Sequence, residues 1–191
     1  MREQVVRDVK EEFLGATFGY LVKHGLENTS LRDLCKDTGI SSGSIYYWFE
    51  GKDDVFINAA EYGLSKVADS IFEFAFDNMS DLKKFFDSSL DEISKHKSEL
   101  RLIYQMATSP IYGGRMRIKA EELKIMYEKY TVQLSGILDI PKEELRPVVY
   151  MYISIILDYV VWEDYDNAVL QLDGLYSILT SKLEYAEMKI S

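Results

Sequence analysis

The stretch Thr29-Ser30-Leu31-Arg32-Asp33-Leu34-Cys35-Lys36-Asp37-Thr38-Gly39-Ile40-Ser41-Ser42-Gly43-Ser44-Ile45-Tyr46-Tyr47-Trp48-Phe49-Glu50-Gly51-Lys52 packs a helix, a glycine-marked turn, a short aromatic helix and a further helix start into one continuous run. That order reads as a helix-turn-helix. Ser30 is placed to cap the first helix, with Asp33 three positions on as its acidic partner, and Leu31, Leu34 and Cys35 form its apolar stripe. Gly39 is expected to end that helix, because the residue just past a helix commonly takes the left-handed conformation that glycine enters without steric penalty. Ile40 then turns back toward the core and Ser41 caps a second helix from Ser42 to Phe49. In it only Ile45 and Phe49, four apart, need face inward.

The rest of the second helix is free for another surface. It offers hydroxyls at Ser42 and Ser44, a glycine at 43 that permits close approach, and the rings of Tyr46, Tyr47 and Trp48. Hydroxyls and phenols hydrogen-bond phosphates or base edges, and a ring can touch a thymine methyl, so this set suits a DNA groove. One of the two tyrosines is expected to belong to the core of a small three-helix unit, but not all three consecutive rings.

Thr29 to Leu34, Gly39 to Phe49 and Lys52, in this order of turn glycine, small hydroxyls, paired aromatics and closing Phe, closely resemble the TetR family of bacterial transcriptional regulators. The resemblance covers roughly residues 5–60. It implies an all-α chain: an N-terminal three-helix helix-turn-helix DNA-binding domain over residues 1–51 and a C-terminal helical effector-binding and dimerisation domain over 52–191. Matched position by position, it implies base-edge contacts from Ser42, Gly43, Ser44 and Tyr46 and phosphate contacts from Arg32, Tyr47, Trp48 and Lys52. Two residues depart from the family pattern, which usually has a basic residue where Ser42 stands and often a His where Trp48 stands. Both changes reduce positive or polar contact with DNA.

Composition bounds the alternatives. With 191 residues, 47% of them hydrophobic, the chain can bury one or two cores. Proline and glycine are sparse and no alternating apolar run flanked by turn dipeptides marks a hairpin. One cysteine rules out an intrachain disulfide framework, and two distant histidines give no zinc spacing. Cys35 reads as a small buried hydrophobe, and the N-terminus lacks a signal-peptide apolar region, so a cytoplasmic protein is expected. The net charge of -10 is awkward for DNA binding. Residues 1–52 hold seven Lys and Arg against eight Asp and Glu, a net of -1, so -9 falls on the rest.

Along the chain, a first helix is expected from Glu3 to Lys23 with Val6, Val9, Phe13, Ala16, Thr17, Tyr20 and Leu21 inward, closed by Lys23-His24-Gly25. A helix from Asp53 to Phe76 follows, with Asp53 and Asp54 in its first turn and Lys52 at its start, where free backbone N–H groups favour a phosphate. The next begins near Asp81, with Leu82, Phe85, Phe86, Leu90 and Ile93 inward. Lys95-His96-Lys97-Ser98 then interrupts it with His96 expected in solvent. Glu99 to Thr108 presents Leu102, Ile103 and Met106; Ser109 to Gly114 is a break, read either as an ordinary connection or as a hinge or pocket rim. From Arg115 to Leu138, Met116, Ile118, Leu123, Met126, Tyr127, Tyr130 and Leu134 are expected on the buried side. Pro141 and the Glu143-Glu144 pair start a helix apolar nearly all round from Val148 to Trp162. It is interrupted by Ser154 and Asp158, too short for a membrane span and therefore expected to be buried. A last helix carries Ala168, Val169, Leu172, Leu175, Tyr176, Leu179 and Leu183. Surplus apolar surface on these two helices points to a four-helix contact between two copies, the usual dimer contact of the resembled family.

The function expected is that of a DNA-binding regulator, a repressor released from a near-palindromic double-stranded operator by a small-molecule effector. The alternative is a TetR-like protein without DNA binding that works through a protein partner. Effector candidates are Tyr104, Met106, Tyr127, Tyr130, Tyr152, Asp158 and Trp162, although a tyrosine and methionine stripe at helical spacing is more often plain core. Asp158 is either an edge residue, solvated or paired, or faces a cavity lined by Tyr127, Tyr152 and Trp162 that would take a cationic or hydrogen-bond-donating effector. No nucleophile–base pair, cofactor motif or metal set is visible, so catalysis is not expected.

Overall fold

A computed structural model describes the backbone of residues 2–190 and the side chains of residues 6–118, 121, 124–125 and 127–183. Among these the fold is all helical: α1 (Arg2–His24), α2 (Leu31–Thr38), α3 (Ser42–Trp48), α4 (Lys52–Asn78), α5 (Leu82–Lys95), α6 (Lys97–Thr108), α7 (Gly113–Leu138), α8 (Lys142–Trp162) and α9 (Tyr165–Ile190). The helices form two compact units, one of residues 1–68 and 98–120, the other of residues 69–97 and 121–191. The helix-turn-helix therefore shares its unit with α6 and the start of α7.

In the first unit, α1 packs on α2 and α2 on α3. The buried face of α1 is Phe13, Leu14, Thr17, Phe18 and Leu21. This corrects the expected stripe: Ala16 and Val6 are exposed and Tyr20 is half-buried. Apolar residues surround α1, so its periodicity alone does not fix which arc is covered. Gly25, at φ +81, closes the helix and donates its N–H to the Leu21 carbonyl at 2.8 Å, as the Lys-His-Gly ending implies.

In the second unit, α8 packs on α9, and α5 packs on both. Phe85, Phe86, Leu90 and Ile93 of α5 are buried as expected, together with Leu145, Val148, Ile155, Ile156, Tyr159 and Val160 of α8 and Ala168, Leu172, Leu175 and Leu179 of α9. The α8 helix begins at Lys142, six residues before the Val148–Trp162 apolar stretch, so by length and hydropathy it could cross a bilayer, against the expectation that it is too short. Its packing against α5 and α9 makes it a partly buried core helix. Arg146 of α8 pairs with Glu128 of α7: Nη2 donates to Oε2 at 2.8 Å, and Nε lies 2.6 Å from Oε1 as an ion-pair contact. On α7, Thr131 and Leu134 are buried and Tyr127 and Tyr130 half-buried; on the part of α7 that belongs to the first unit, Met116 is buried but Ile118 is exposed, against expectation. Leu123 and Met126 lie outside the described side chains. His96 also departs from its expected solvated state: it caps α5, and its Nε2 lies 3.1 Å from the Ser70 hydroxyl of α4.

Candidate nucleic-acid interface

The ends of α2 and α3 are set by short polar side chains. Ser30 Oγ accepts from the Asp33 N–H at 3.2 Å while Asp33 Oδ2 accepts from the Ser30 N–H at 3.0 Å, a reciprocal capping box. The Ser30 hydroxyl, followed by the Ser30 amide, holds the Asp33 carboxyl below its usual range. Gly39 sits at φ +71 and donates to the Cys35 carbonyl at 3.0 Å, the left-handed stop that a side chain would strain. Ser41 caps α3 by accepting from the Ser44 N–H at 3.1 Å. Each of these devices is legible in the residue types.

Ile45 and Phe49 are buried, and this pair anchors α3. The anchoring leaves Tyr46 63% and Tyr47 82% exposed, which corrects the expectation that one of the tyrosines is core. The ring taken inward is that of Trp48, half-buried with its centroid 6.1 Å from Phe13 and edge-on to Phe49. Phe49 in turn lies 6.0 Å from Phe13. Ser42 and Gly43 are exposed, whereas Ser44 is half-buried with its hydroxyl 3.0 Å from that of Ser41. The outward surface of α3 is therefore Ser42, Gly43, Tyr46 and Tyr47, with no formal charge.

Charge comes from around it. Arg32 is exposed on α2. Lys52 is the first residue of α4, half-buried with its Nζ 5.0 Å from the centroid of the Phe56 ring. Lys10 of α1, which the sequence reading passed over, places its Nζ 4.7 Å over Phe49. Its signal was only a lysine one turn before Phe13. Asp54 is the other residue missed: its Oδ2 accepts from the Glu50 N–H at 3.0 Å and so ties the end of the α3 segment to α4. An acidic pair just inside a helix start reads first as dipole complement, which hid the longer reach.

The effector candidates fall in different places. Tyr104, exposed, and Met106, fully buried, belong to the first unit. In the second, Tyr127 and Tyr130 lie against Phe72, the latter stacked at 3.6 Å. Tyr152 joins another ring cluster, 5.3 Å from Phe85 and 6.3 Å from Phe86. Asp158 is half-buried and Trp162 is 74% exposed at the end of α8. A separate open groove of about 460 Å³ runs between α8 and α9, lined by Tyr150, Met151, Ser154, Gln171, Gly174 and Ile178 among others.

Residues 13–59 match the family model for bacterial regulatory proteins of the tetR family. A protein of Saccharolobus solfataricus described as a candidate HTH-type transcriptional regulatory protein is 26% identical over 107 residues, 54% of this chain and 34% of that protein. The HTH-type transcriptional regulator PksA of Bacillus subtilis is 23% identical over 92 residues, 48% of this chain and 45% of PksA. The matched stretches thus span less than half the length of either relative. The crystal structure of a candidate transcriptional regulator from Pseudomonas aeruginosa PAO1 shares the fold with a TM-score of 0.53 over 90% of both chains, at 12% identity.

Proposed function

We infer, from the premise that this chain belongs to the TetR family of helix-turn-helix transcriptional regulators, a non-enzymatic family, that it is a cytoplasmic repressor whose α3 enters the major groove of DNA. The observation that carries the reading is the outward face of α3: two tyrosines left in solvent on a helix anchored only through Ile45 and Phe49. Tyr46, Ser42, Gly43 and Ser44 are assigned to base edges, and Arg32, Tyr47, Trp48 and Lys52 to phosphates. Residues 1–51 act as the DNA-binding domain and 52–191 as the effector-binding and dimerisation domain. Homodimerisation is supported by the apolar side chains of α8 and α9 that the chain leaves open, Met151 and Leu157 on the first and Leu170 and Ile178 on the second. A dimer of this kind reads a near-palindromic site with half-sites about one helical turn apart, roughly 34–36 Å.

The effector is assigned to the second unit, with the Phe72–Tyr127–Tyr130 rings, Tyr152 and Asp158 as its candidate contacts and release from DNA as its effect. One observation favours a second reading, in which a protein partner replaces DNA: α3 carries no lysine or arginine and the chain is strongly acidic. Selection of duplexes from a random-sequence pool by the purified protein, followed by titration with salt, separates the two. Enrichment of a two-fold symmetric site with a shallow salt slope, about -0.9 per phosphate neutralised, supports DNA reading by hydroxyls and rings. Failure to enrich any sequence overturns it.

A further inference from the structure

The α6–α7 corner reaches the helix-turn-helix at one turn of α4. Tyr112 is buried with its ring 6.5 Å from that of Phe56, and its hydroxyl donates to Asp53 Oδ1 at 3.1 Å. Three residues on, Arg115 Nη1 donates to Asp54 Oδ1 at 2.8 Å. The corner itself is closed tightly. Gly113 N–H donates to the Ser109 carbonyl at 2.8 Å and Ile111 N–H to Ser109 Oγ at 3.1 Å. A Cβ at Gly113 would come within 2.7 Å of the Ala107 carbonyl oxygen, so any side chain there would force α7 off the end of α6. Tyr112 and Arg115 are therefore presented to α4 from a fixed base.

The turn they hold is the one that follows α3. Besides Arg115, Asp54 accepts from the Glu50 N–H at 3.0 Å and from Asn58 Nδ2 at 3.0 Å, with its side chain only 17% exposed. Burial pushes the Asp54 carboxyl up, and the Glu50 amide, the Arg115 guanidinium and the Asn58 amide outweigh it, leaving the group below the ordinary carboxylate range. Arg115 also offsets one of the two carboxylates adjoining Lys52, which would otherwise oppose the approach of a phosphate.

We propose that the Tyr112–Asp53 and Arg115–Asp54 contacts form a two-point latch by which the α6–α7 corner fixes the Glu50–Asp54 turn, holds α3 in its DNA-reading position and so sets DNA affinity. Tyr112 and Arg115 are positioning residues in this scheme and touch no DNA. The latch rests on the DNA-binding reading above, and its test distinguishes the two.

The probe is a duplex enriched from a random pool by the wild-type full-length protein, titrated by fluorescence anisotropy at a temperature where every variant is folded by circular dichroism. Arg115→Met and Tyr112→Phe are each expected to raise Kd about three- to tenfold, the size of one lost hydrogen bond. Arg115→Lys should recover part of the loss, and the double variant should depart from the product of the single effects, because both points hold one turn. Amide hydrogen exchange over residues 50–55 should quicken in step with Kd, which a general loss of stability would not confine to that turn. Tyr112→Phe removes one hydroxyl and leaves the ring, so it stays informative if Arg115→Met fails to fold. Wild-type affinity in both single variants overturns the latch alone. A wild-type protein that enriches no duplex overturns the latch and the DNA-binding reading together.

Discussion

The α2–α3 pair and the α8–α9 pair turn opposite kinds of surface to solvent, and of their four helix starts only that of α8 lacks a side-chain cap. In α2–α3 three of the four ends have a local device: the Ser30–Asp33 box, Gly39 at positive φ and the Ser41 cap. The exposed rings there are phenols. In α8–α9 the exposed large apolar residues are mostly aliphatic, among them Met151, Leu157, Leu170 and Ile178, and Pro141 begins α8 without a side-chain cap. The helix ends of the first pair are set largely by neighbouring residues, whereas the open face of the second is set by what covers it. Polar-tipped rings left in solvent suit a wet, hydrogen-bonding partner, whereas a bare aliphatic face suits a second protein surface.

The largest effect that tests this contrast is in the core of the first pair. Ile45→Ala removes a fully buried side chain and is expected to destabilise the chain by about 2–5 kcal/mol, read by urea unfolding. The same truncation at Ile178, which is 44% exposed, should change the folding of a single chain by less than about 0.5 kcal/mol. Equal losses at the two sites would erase the distinction between them.

Second in size is the association of two chains. Leu170→Glu, at a position 71% exposed, should leave the helical content intact while weakening the dimer by about 2 kcal/mol or more, roughly 30-fold in dissociation constant by sedimentation. A variant that stays dimeric at wild-type strength would move the interface off the α8–α9 face.

The same contrast explains what could be read from the residues. The caps of α2 and α3, the inward Ile45 and Phe49 and the α5 stripe were legible because each depends on residues within a turn of one another. The covered arc of α1 was not, since Leu14 and Phe18 compete with Ala16 and Tyr20 and only the neighbouring helices decide. Ile118 was misjudged for the same reason on α7. On α3, the choice of Trp48 over a tyrosine for the inward ring depended on Phe13, far away in sequence. Asp54 joined to Arg115, and Asp53 to Tyr112, are pairs some 60 positions apart that no local pattern signals.

A smaller effect concerns the capping box. Ser30→Ala should destabilise the protein by about 1 kcal/mol near neutral pH, read by thermal or urea unfolding. Because the folded-state pKa of Asp33 lies below its ordinary value of 3.8, its contribution is present above that value and is lost as pH falls through the folded pKa. The difference between wild type and variant should therefore shrink on acidification below about pH 4. A difference that stays constant across that range would detach the cap from the carboxylate.

The smallest expected change is of opposite sign and sets Tyr152 of α8 against the solvent-facing tyrosines of α3. The Tyr152 hydroxyl is buried and without a hydrogen-bond partner among the described residues; Ser89 stands beside it but donates to the Phe85 carbonyl at 2.7 Å. Burial pushes the phenol up to about 12, with Ser89 slightly opposing and Glu92 reinforcing. An unsatisfied hydroxyl is a penalty that the isosteric ring lacks, so Tyr152→Phe keeps the packing on Phe85 and Phe86 and should stabilise the chain by up to about 1 kcal/mol. The alkaline limb carries the same sign. A phenol raised from 10.0 to about 12 contributes stability that is present below pH 10 and lost as pH rises through the folded value. The variant should therefore lose less stability than wild type between these two pH values in paired thermal melts. Destabilisation by more than about 1 kcal/mol at neutral pH would mean that the hydroxyl has a partner it depends on, with Ser89 the first to examine by Ser89→Ala in the same background. If the stabilised variant also fails to respond to a ligand that releases the wild type from DNA, the unpartnered phenol is a group held in reserve for that ligand, and its cost to the free protein is explained.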